Sequence, residues 1–234
     1  MKIGIFDFDG TLTQESLPKY WIPDTDEAKQ KITTAFAKYS KADGETFIDK
    51  FFDFFMELSG GENARFHQSK FAEWEEKLKY NPDVHAFFRN SSNKNYIISG
   101  GLSEFLNNLE IAGFFAGIYG THAEFDKDGF LTGMGEFMSD ETKIKAIQDI
   151  LQKNSKKDCQ GVIFVGDGLS DEAAMRYVHN NGGKVIFVCQ PVADELTYAT
   201  DLIYKKLMSE KIVDAKCVAD YKKNSELYLR LAEF

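Results

Sequence analysis

The chain has 234 residues, of which 43% are hydrophobic and 28% charged, and its net charge at pH 7 is −9. This length and composition are typical of a soluble globular protein with one core, or with a core and an inserted subdomain. The negative charge disfavours a general electrostatic attraction to nucleic acid or to an anionic membrane, so we expect neither as a partner. An anionic substrate would need a local site of attraction.

Two further features bear on location. No apolar run approaches the roughly 18 residues that a membrane span needs, and the first residues have the pattern of a strand rather than of a secretory signal. The three cysteines, Cys159, Cys189 and Cys217, are far apart and show no C-x-x-C spacing. Free thiols of this kind are typical of a reducing compartment, so the sequence predicts a cytoplasmic protein.

The first segment with candidate functional residues is 2–12, where an apolar run ends in two carboxylates and a glycine. Ile3, Ile5 and Phe6 predict a short buried strand that ends at Asp7. Because residues two apart on a strand share one face, the carboxylates of Asp7 and Asp9 would reach the same object. Three explanations are open at this point: a divalent cation between them, a shared proton, or a solvated turn.

Helical periodicity replaces the strand pattern after residue 13. Apolar residues at helical spacing predict three helices and no strand over 14–80, and Asn81-Pro82 closes the segment. We interpret 14–80 as a small helical subdomain inserted into a core formed by 1–13 and 81–234. Its many aromatic residues at helical spacing favour a packed interior of that subdomain over an apolar substrate pocket. The apolar positions include Ile32, Ala35, Phe36, Tyr39, Phe47, Phe51, Phe54, Phe55, Leu58, Phe71, Trp74 and Leu78.

Strand and helix patterns alternate beyond Pro82, which predicts an α/β fold with a doubly wound parallel sheet covered by helices on both faces. Ser139 or Asp140 is suited to cap the helix at 141–153. A turn at Asp128-Gly129 predicts a hairpin. The predicted strands are 95–99, 117–120, 161–165, 184–188 and 201–204, the hairpin is 125–131, and the tail 207–234 has a helical pattern.

Polar residues follow several of the predicted strands. Ligands of such sheets bind outside the carboxyl ends of the strands, so we expect Asp7, Asp9, Ser99 and Asp167 to meet at one edge. The three acids form a set of hard oxygen ligands, which suits Mg²⁺ better than zinc because no histidine or cysteine lies near these strand ends.

Two groups would attract an anion to that edge. Ser99 with the amides of Gly100 and Gly101, at the opening of a helix, would form a small anion cradle. Lys143, in the first turn of its helix, would offer a positive charge to a phosphate oxygen. Carboxylates, Mg²⁺, amides and a lysine together indicate phosphoryl transfer, with an aspartate as the nucleophile and a second one as acid and base.

The order of these motifs resembles the four-motif signature of the haloacid dehalogenase superfamily, and the match spans nearly the whole chain. Within it, the segments 97–101 and 128–133 resemble the phosphoserine phosphatase-like group, in which a helical, C1-type cap follows the first motif. The resemblance implies a Rossmann-like core with 14–80 as the cap. The motifs are Asp7-Phe8-Asp9-Gly10-Thr11, then Ser99, then Lys143, and then Gly166-Asp167-Gly168 with Asp171.

The resemblance also implies roles for individual residues. Asp7 would be the nucleophile and Asp9 the acid and base. Asp7, the backbone carbonyl of Asp9 and Asp167 would hold Mg²⁺, with support from Asp171. The phosphate would be bound by Ser99, Gly100 and Lys143.

Four positions depart from the phosphoserine phosphatase pattern. Glu15 stands one residue before the place of the glutamate that binds the substrate amine, and Ser16 occupies that place. Arg65 is the single arginine of 14–80 but lacks the surrounding segment of the family, and Ser170 replaces an asparagine. Gly10 replaces a serine, as in relatives that act on other phosphates.

The sequence thus predicts a Mg²⁺-dependent phosphatase acting on a small phosphorylated metabolite, with phosphoserine as one candidate. Two alternatives stay open: a phosphotransferase that passes the phosphoryl group to an alcohol, and a binding module that kept the fold without the chemistry. A dehalogenase is less favoured, since that reaction does not call for Asp9 or a Mg²⁺ site. The sequence does not indicate an oligomeric state.

Overall fold

The computed structural model describes residues 2–14, 30, 66–168, 170–190 and 195–234. The first two helices predicted within 14–80 lie outside these residues. Glu15, Ser16 and Arg65 do as well, so their roles and the limits of the cap stay predictions.

Six parallel strands form the main sheet, in the order β3-β2-β1-β6-β7-β8, and β4 pairs with β5 in an antiparallel hairpin. The register pairs Phe6 of the central strand with Ile97 on one side and with Val165 on the other. The carboxyl ends of three neighbouring strands are therefore aligned. The strands are β1 (Ile3–Phe6), β2 (Lys94–Leu102), β3 (Gly117–Thr121), β4 (Ala123–Phe125), β5 (Leu131–Met134), β6 (Val162–Gly166), β7 (Lys184–Cys189) and β8 (Ala215–Val218).

Helices cover both faces of this sheet. Along β1, Ile3 and Ile5 pack into one apolar cluster with Ile147 and Met175, whereas Phe6 packs into a second cluster on the other face. This alternation confirms the predicted doubly wound α/β fold. The helices are α1 (Lys70–Lys77), α2 (Val84–Asn90), α3 (Ser103–Asn108), α4 (Asp140–Lys153), α5 (Glu172–Asn180), α6 (Glu195–Ser209) and α7 (Glu226–Glu233), with a 3₁₀ helix at Glu110–Phe114.

The helix α4 begins where the sequence predicts. The Ser139 hydroxyl accepts a hydrogen bond from the Thr142 amide, and the Thr142 hydroxyl accepts one from the Ser139 amide, which makes a capping box. Such a cap stabilises a helix by about 1 kcal/mol. The buried face of α4 contains Ile147 and Ile150 and also Lys143, whose side chain is only 1% exposed. A lysine on an apolar face requires a partner inside the protein.

Two predictions for the C-terminal part are wrong. The residues 201–204 form no strand but lie within α6, where Ile203, Tyr204 and Leu207 pack on the sheet at helical spacing. The tail is not helical throughout, since β8 lies between α6 and α7. Short apolar runs fit a strand and a buried helix equally well, and β8 is a four-residue edge strand with little alternation to reveal it.

The predicted hairpin is confirmed, and it joins the end of the predicted cap to the core. Backbone hydrogen bonds run from the Gln68 amide to the Gly129 carbonyl (2.9 Å) and from the Leu131 amide to the Phe66 carbonyl (2.8 Å). Phe71 of α1 packs against Phe105 and Phe125 of the core at ring centroid distances of 5.5 and 5.8 Å. The apolar face of α1 is thus part of the main core, which differs from the expected separate interior.

The cysteines match the expectation of free thiols. Cys159 and Cys217 are buried, Cys189 is half-buried, and all three are unbridged. Burial raises the pKa of Cys159 and of Cys217 to about 11. None of the helices that the structure describes has the length and apolar character to cross a membrane.

Candidate active site

Three carboxylates converge at the carboxyl edge of the sheet. Asp7 directly follows β1, and its amide donates to the Val165 carbonyl of β6 at 2.9 Å. Asp167 directly follows β6, and Asp171 lies at the start of α5. One carboxylate oxygen of each of these residues lies within 4.8 Å of the others. The sheet therefore brings together acids that are far apart in the chain.

The partner that the buried lysine requires is this group. Lys143 Nζ donates to Asp171 Oδ1 at 2.6 Å and to Ser170 Oγ at 3.1 Å, and it lies 3.9 Å from Asp7 Oδ1. Asp7 is 3% exposed and Asp171 is fully buried, so water screens these charges little. Ser170, one of the positions predicted to depart from the phosphoserine phosphatase pattern, contacts the lysine that is predicted to bind phosphate.

The electrostatics of the site are dominated by its negative charge. Burial, and then the negative charge of Asp171, raises the pKa of Asp7 well above its ordinary value, although Lys143 acts in the other direction. Burial alone would lower the pKa of Lys143, but Asp171 and Asp7 outweigh it and raise that pKa. The lysine is therefore held as an ammonium among carboxylates that repel one another.

Two glycines make room for the acids. Gly10 has a φ of +71°, and a Cβ atom there would collide with Asp167 Oδ2. A Cβ atom at Gly166, the last residue of β6, would collide with Asp171 Oδ2. A side chain at either position would displace a carboxylate, and at Gly10 the backbone conformation would be strained as well.

The acids differ from the predicted set in one respect. Sequence reasoning grouped Asp7, Asp9 and Asp167, with Asp171 in support. The structure places the Asp171 carboxylate with those of Asp7 and Asp167, and the Asp9 carboxylate is outside the three-member group found among the described residues. Asp9 is half-buried and close enough for its charge to contribute to the raised pKa of Asp7. The metal role that the resemblance implies for Asp9 uses its backbone carbonyl.

The predicted anion cradle has a different local structure. The strand β2 continues through Gly100 and Gly101 to Leu102, and α3 begins only at Ser103. The Gly101 amide donates to Ser99 Oγ at 3.0 Å. The expectation that both glycine amides open a helix is wrong. Ser99 itself is buried at the strand end, while Gly100 is exposed with open space where a Cβ atom would lie.

Three polar residues near the first motif escaped sequence reasoning. Asn81, Gln190 and Tyr221 donate hydrogen bonds to carbonyls of the turn after Asp9. Gln190 directly follows β7, so the rule that marked Asp7 and Asp167 as polar residues after buried strands would have found it. Asn81 and Tyr221 carry no such signal, because they lie in connecting segments.

Comparison with known proteins identifies the family. The model of the haloacid dehalogenase-like hydrolase family matches residues 5–176, which is most of the chain. The chain belongs to this family. A search of the curated proteins finds no match.

Solved structures show the same fold. A HAD family hydrolase from Salmonella enterica subsp. enterica serovar Typhi matches with a TM-score of 0.68 and 18% identity, over 99% of this chain and 70% of that one. A phosphoserine phosphatase in its apo form matches with 0.63 and 16%, over 98% of both chains. A phospho-aspartyl intermediate analogue of phosphoserine phosphatase matches with 0.62 and 16%, over 100% of this chain and 98% of that one.

Proposed function

We propose that the protein is a Mg²⁺-dependent phosphatase that hydrolyses a small phosphomonoester through an aspartyl-phosphate intermediate. The observation that carries this proposal is the group of Asp7, Asp167 and Asp171 around Lys143 at the edge of the sheet. It combines a nucleophile, a positive charge for phosphate and a set of oxygen ligands in one place. Membership of the hydrolase family supports the same chemistry.

The residues fit a magnesium ion. Asp7, Asp167 and Asp171 each offer one carboxylate oxygen, the three atoms lie within 4.8 Å of one another, and Asp7 and Asp171 are buried. Carboxylate and carbonyl oxygens are ligands that Mg²⁺ favours. Asp7, Asp167 and the backbone carbonyl of Asp9 would hold the ion, with Asp171 in support. When bound, Mg²⁺ neutralises charge on the transferring phosphoryl group.

The reaction would proceed in two steps, transfer of the phosphoryl group to Asp7 and hydrolysis of the resulting aspartyl-phosphate. In the first, a carboxylate oxygen of Asp7 attacks phosphorus, the ester P–O bond breaks, and Asp9 donates a proton to the leaving alcohol. In the second, water attacks the phosphorus of the aspartyl-phosphate, Asp9 takes a proton from that water, and the Asp7 carboxylate is regenerated with release of inorganic phosphate. Lys143, Ser99 and the backbone of Gly100 would hold the phosphate oxygens in line.

The substrate class is a small phosphorylated metabolite, and phosphoserine is one candidate. The likeness to structures named phosphoserine phosphatase supports testing phosphoserine first. Ser170, in contact with Lys143, lies at the site. The other proposed specificity residues, Glu15, Ser16 and Arg65, belong to the segment outside the described residues.

The test is the hydrolysis of p-nitrophenyl phosphate by the Asp7→Asn variant. We expect kcat to fall by at least about 10³-fold, because the amide is a poor nucleophile, while the circular dichroism spectrum stays unchanged. The matched control is Asp149→Asn on α4, since the Asp149 carboxylate pairs with Lys153 at the surface, where its side chain is 41% exposed. This control should keep full activity.

Three further measurements complete the test. Removal of divalent cations with EDTA should abolish turnover, and added Mg²⁺ should restore it. Beryllium fluoride with Mg²⁺ should raise the melting temperature of the wild type but not of Asp7→Asn. A panel of phosphorylated metabolites, phosphoserine included, then identifies the substrate. Full turnover by Asp7→Asn, or a wild type that neither turns over nor responds to beryllium fluoride, would overturn the proposal.

A further inference from the structure

The backbone carbonyls of the turn that follows Asp9 accept hydrogen bonds from side chains that are distant in the sequence. The Phe8 carbonyl accepts from the Leu12 amide at 2.8 Å and from the Thr13 amide at 3.1 Å, which closes a compact turn. The carbonyls of the four successive residues 10–13 then accept hydrogen bonds from residues far away in the chain. We call Asn81, Gln190 and Tyr221, which supply these bonds, the turn clamp.

Gln190 binds the first and the last of the four carbonyls. Its Nε2 donates to the Gly10 carbonyl at 2.6 Å and to the Thr13 carbonyl at 3.1 Å. Both protons of one amide group are thus used on one turn. Because Gln190 directly follows β7, which pairs with β6, its position is fixed by the same sheet that fixes Asp167.

Asn81 binds three of the four carbonyls, those of Thr11, Leu12 and Thr13. Its Nδ2 donates to the Thr11 carbonyl at 2.8 Å and to the Thr13 carbonyl at 3.1 Å, while its backbone amide donates to the Leu12 carbonyl at 2.8 Å. Asn81 Oδ1 is buried without a hydrogen-bond partner among the described residues. The amide orientation therefore serves the turn even though it leaves a buried acceptor unsatisfied, which is unfavourable by itself.

Tyr221 completes the clamp from the C-terminal segment. Its hydroxyl donates to the Thr11 carbonyl at 3.3 Å, and its side chain is only 1% exposed. The Tyr221 amide donates to the Pro82 carbonyl at 3.0 Å, which ties this donor to the residue after Asn81. Asn81 and Tyr221 are thus linked to each other through Pro82, while Gln190 shares with Asn81 the carbonyl of Thr13.

The position of the turn affects the carboxylate of Asp167, because Gly10 lies close to it. No Cβ atom fits between Gly10 and Asp167 Oδ2, so a small displacement of the turn changes the space between Asp9, Gly10 and that carboxylate. We infer that Asn81, Gln190 and Tyr221 are positioning residues that fix Asp9 and its backbone relative to Asp7 and Asp167. This inference rests on the proposed function for its catalytic consequence.

Gln190 offers the sharpest test, because it is only half-buried and can be replaced without a change in the core. Gln190→Glu keeps the shape, removes both donors and places an acceptor against two carbonyls. Gln190→Met removes the donors without adding charge. The matched control is Asn154→Asp at the C-terminal end of α4, opposite to the end that carries Lys143. Asn154 Nδ2 also donates to two acceptors, the Tyr96 hydroxyl (2.8 Å) and the Ile150 carbonyl (2.7 Å).

Four quantities are measured for each variant: kcat, KM, the Mg²⁺ dissociation constant and the rate of amide exchange. We expect both Gln190 variants to lower kcat by about 10- to 100-fold, as is typical for residues that orient metal ligands, with KM for p-nitrophenyl phosphate changed less than about twofold. The Mg²⁺ dissociation constant, from calorimetry on metal-free protein, should rise about tenfold. The Leu12 and Thr13 amides of metal-free protein should exchange faster with deuterium. Asn154→Asp should leave all four unchanged.

Failure of the turn clamp and failure of the phosphatase proposal would give different results. If the wild type shows no turnover but the Gln190 variants weaken Mg²⁺ binding and speed exchange, the phosphatase proposal fails and the clamp stands. If the wild type is active and both variants keep its kcat, Mg²⁺ affinity and amide exchange, the clamp is overturned. It is also overturned if kcat falls equally in Asn154→Asp, in proportion to the melting temperature alone.

Discussion

Two neighbouring acids at the start of α5 have nearly the same ion-pair distances and opposite surroundings. Asp171 is fully buried and lies 2.6 Å from Lys143 Nζ. Glu172 has a side chain that is 32% exposed, and it lies 2.7 Å from Lys206 and 2.8 Å from Arg176. Ion-pair distance alone therefore does not distinguish the buried group around Asp171 from the surface group around Glu172. What differs is access to water, which screens the second group but not the first.

The charge balance of the two groups differs as well. At the surface, Glu172 and Glu210 are matched by Arg176 and Lys206, and a hydrogen bond from Lys206 lowers the pKa of Glu172. In the interior, Asp7 and Asp171 lie beside Lys143 and close to the carboxylate of Asp167, and burial raises the pKa of Asp7. The surface group is complete by itself. In the buried group, Lys143 lies 2.6 Å from Asp171 and 3.9 Å from Asp7, so one lysine is shared by two carboxylates that water screens little.

The largest effect should follow from removing the positive charge of the buried Lys143. Lys143→Met leaves Asp7 and Asp171 without their cation, and loss of one partner of a buried pair costs about 3–5 kcal/mol. We expect a loss of that order in the free energy of unfolding, measured with urea. The value of kcat/KM should fall by about 10²- to 10³-fold, because a phosphate contact is lost too.

Lys143→Arg is the control for this prediction. It keeps the charge in a different shape, so it should recover most of the stability but only part of the activity. A Lys143→Met variant with wild-type stability would contradict the contrast between the two groups.

A smaller effect should follow from adding a methyl group beside the carboxylate of Asp167. Gly10→Ala introduces a Cβ atom against Asp167 Oδ2 at a φ of +71°. The left-handed conformation alone costs about 1–2 kcal/mol, which thermal unfolding would show. Displacement of the carboxylate should lower kcat by up to about 10²-fold.

Gly113→Ala is the matched control, because a Cβ atom at Gly113 meets no atom within 4 Å. This variant should unfold at the wild-type temperature and turn over normally. If Gly10→Ala behaved in the same way, the close approach of the turn to Asp167 would be refuted.

The smallest effect should come from the surface group. A double-mutant cycle with Glu172→Gln and Arg176→Met should give a coupling energy below about 1 kcal/mol, as for other exposed pairs. That coupling should decrease further at 1 M salt, where the screening length is about 3 Å. We expect kcat to stay unchanged, and a tenfold loss in Glu172→Gln would show that the surface group supports the site.

The fold and the acids of the site were largely accessible from the sequence. The apolar strands before Asp7 and Asp167 and the capped helix of Lys143 have strong local patterns, and parallel topology then brings their ends together. The contact between Lys143 and Asp171 depends on the packing of α4 against α5, which no local pattern shows. The clamp residues Asn81 and Tyr221 were missed for the same reason.

The errors had a different origin. The residues 201–204 have a short apolar run with no local feature that separates strand from helix. The strand β8 has only four residues and one neighbour, β7, so its place is decided by pairing rather than by propensity.

The central position of β1 has a consequence for how the chain folds. The first strand of the sheet in chain order pairs with residues 94–97 on one side and with residues 162–165 on the other. Contacts so distant in sequence slow folding, and until β6 is synthesised one edge of the apolar β1 has no partner, which exposes the nascent chain to aggregation. Because Asp167 directly follows β6 and Asp171 begins the next helix, the three carboxylates come together only after β6 has paired with β1.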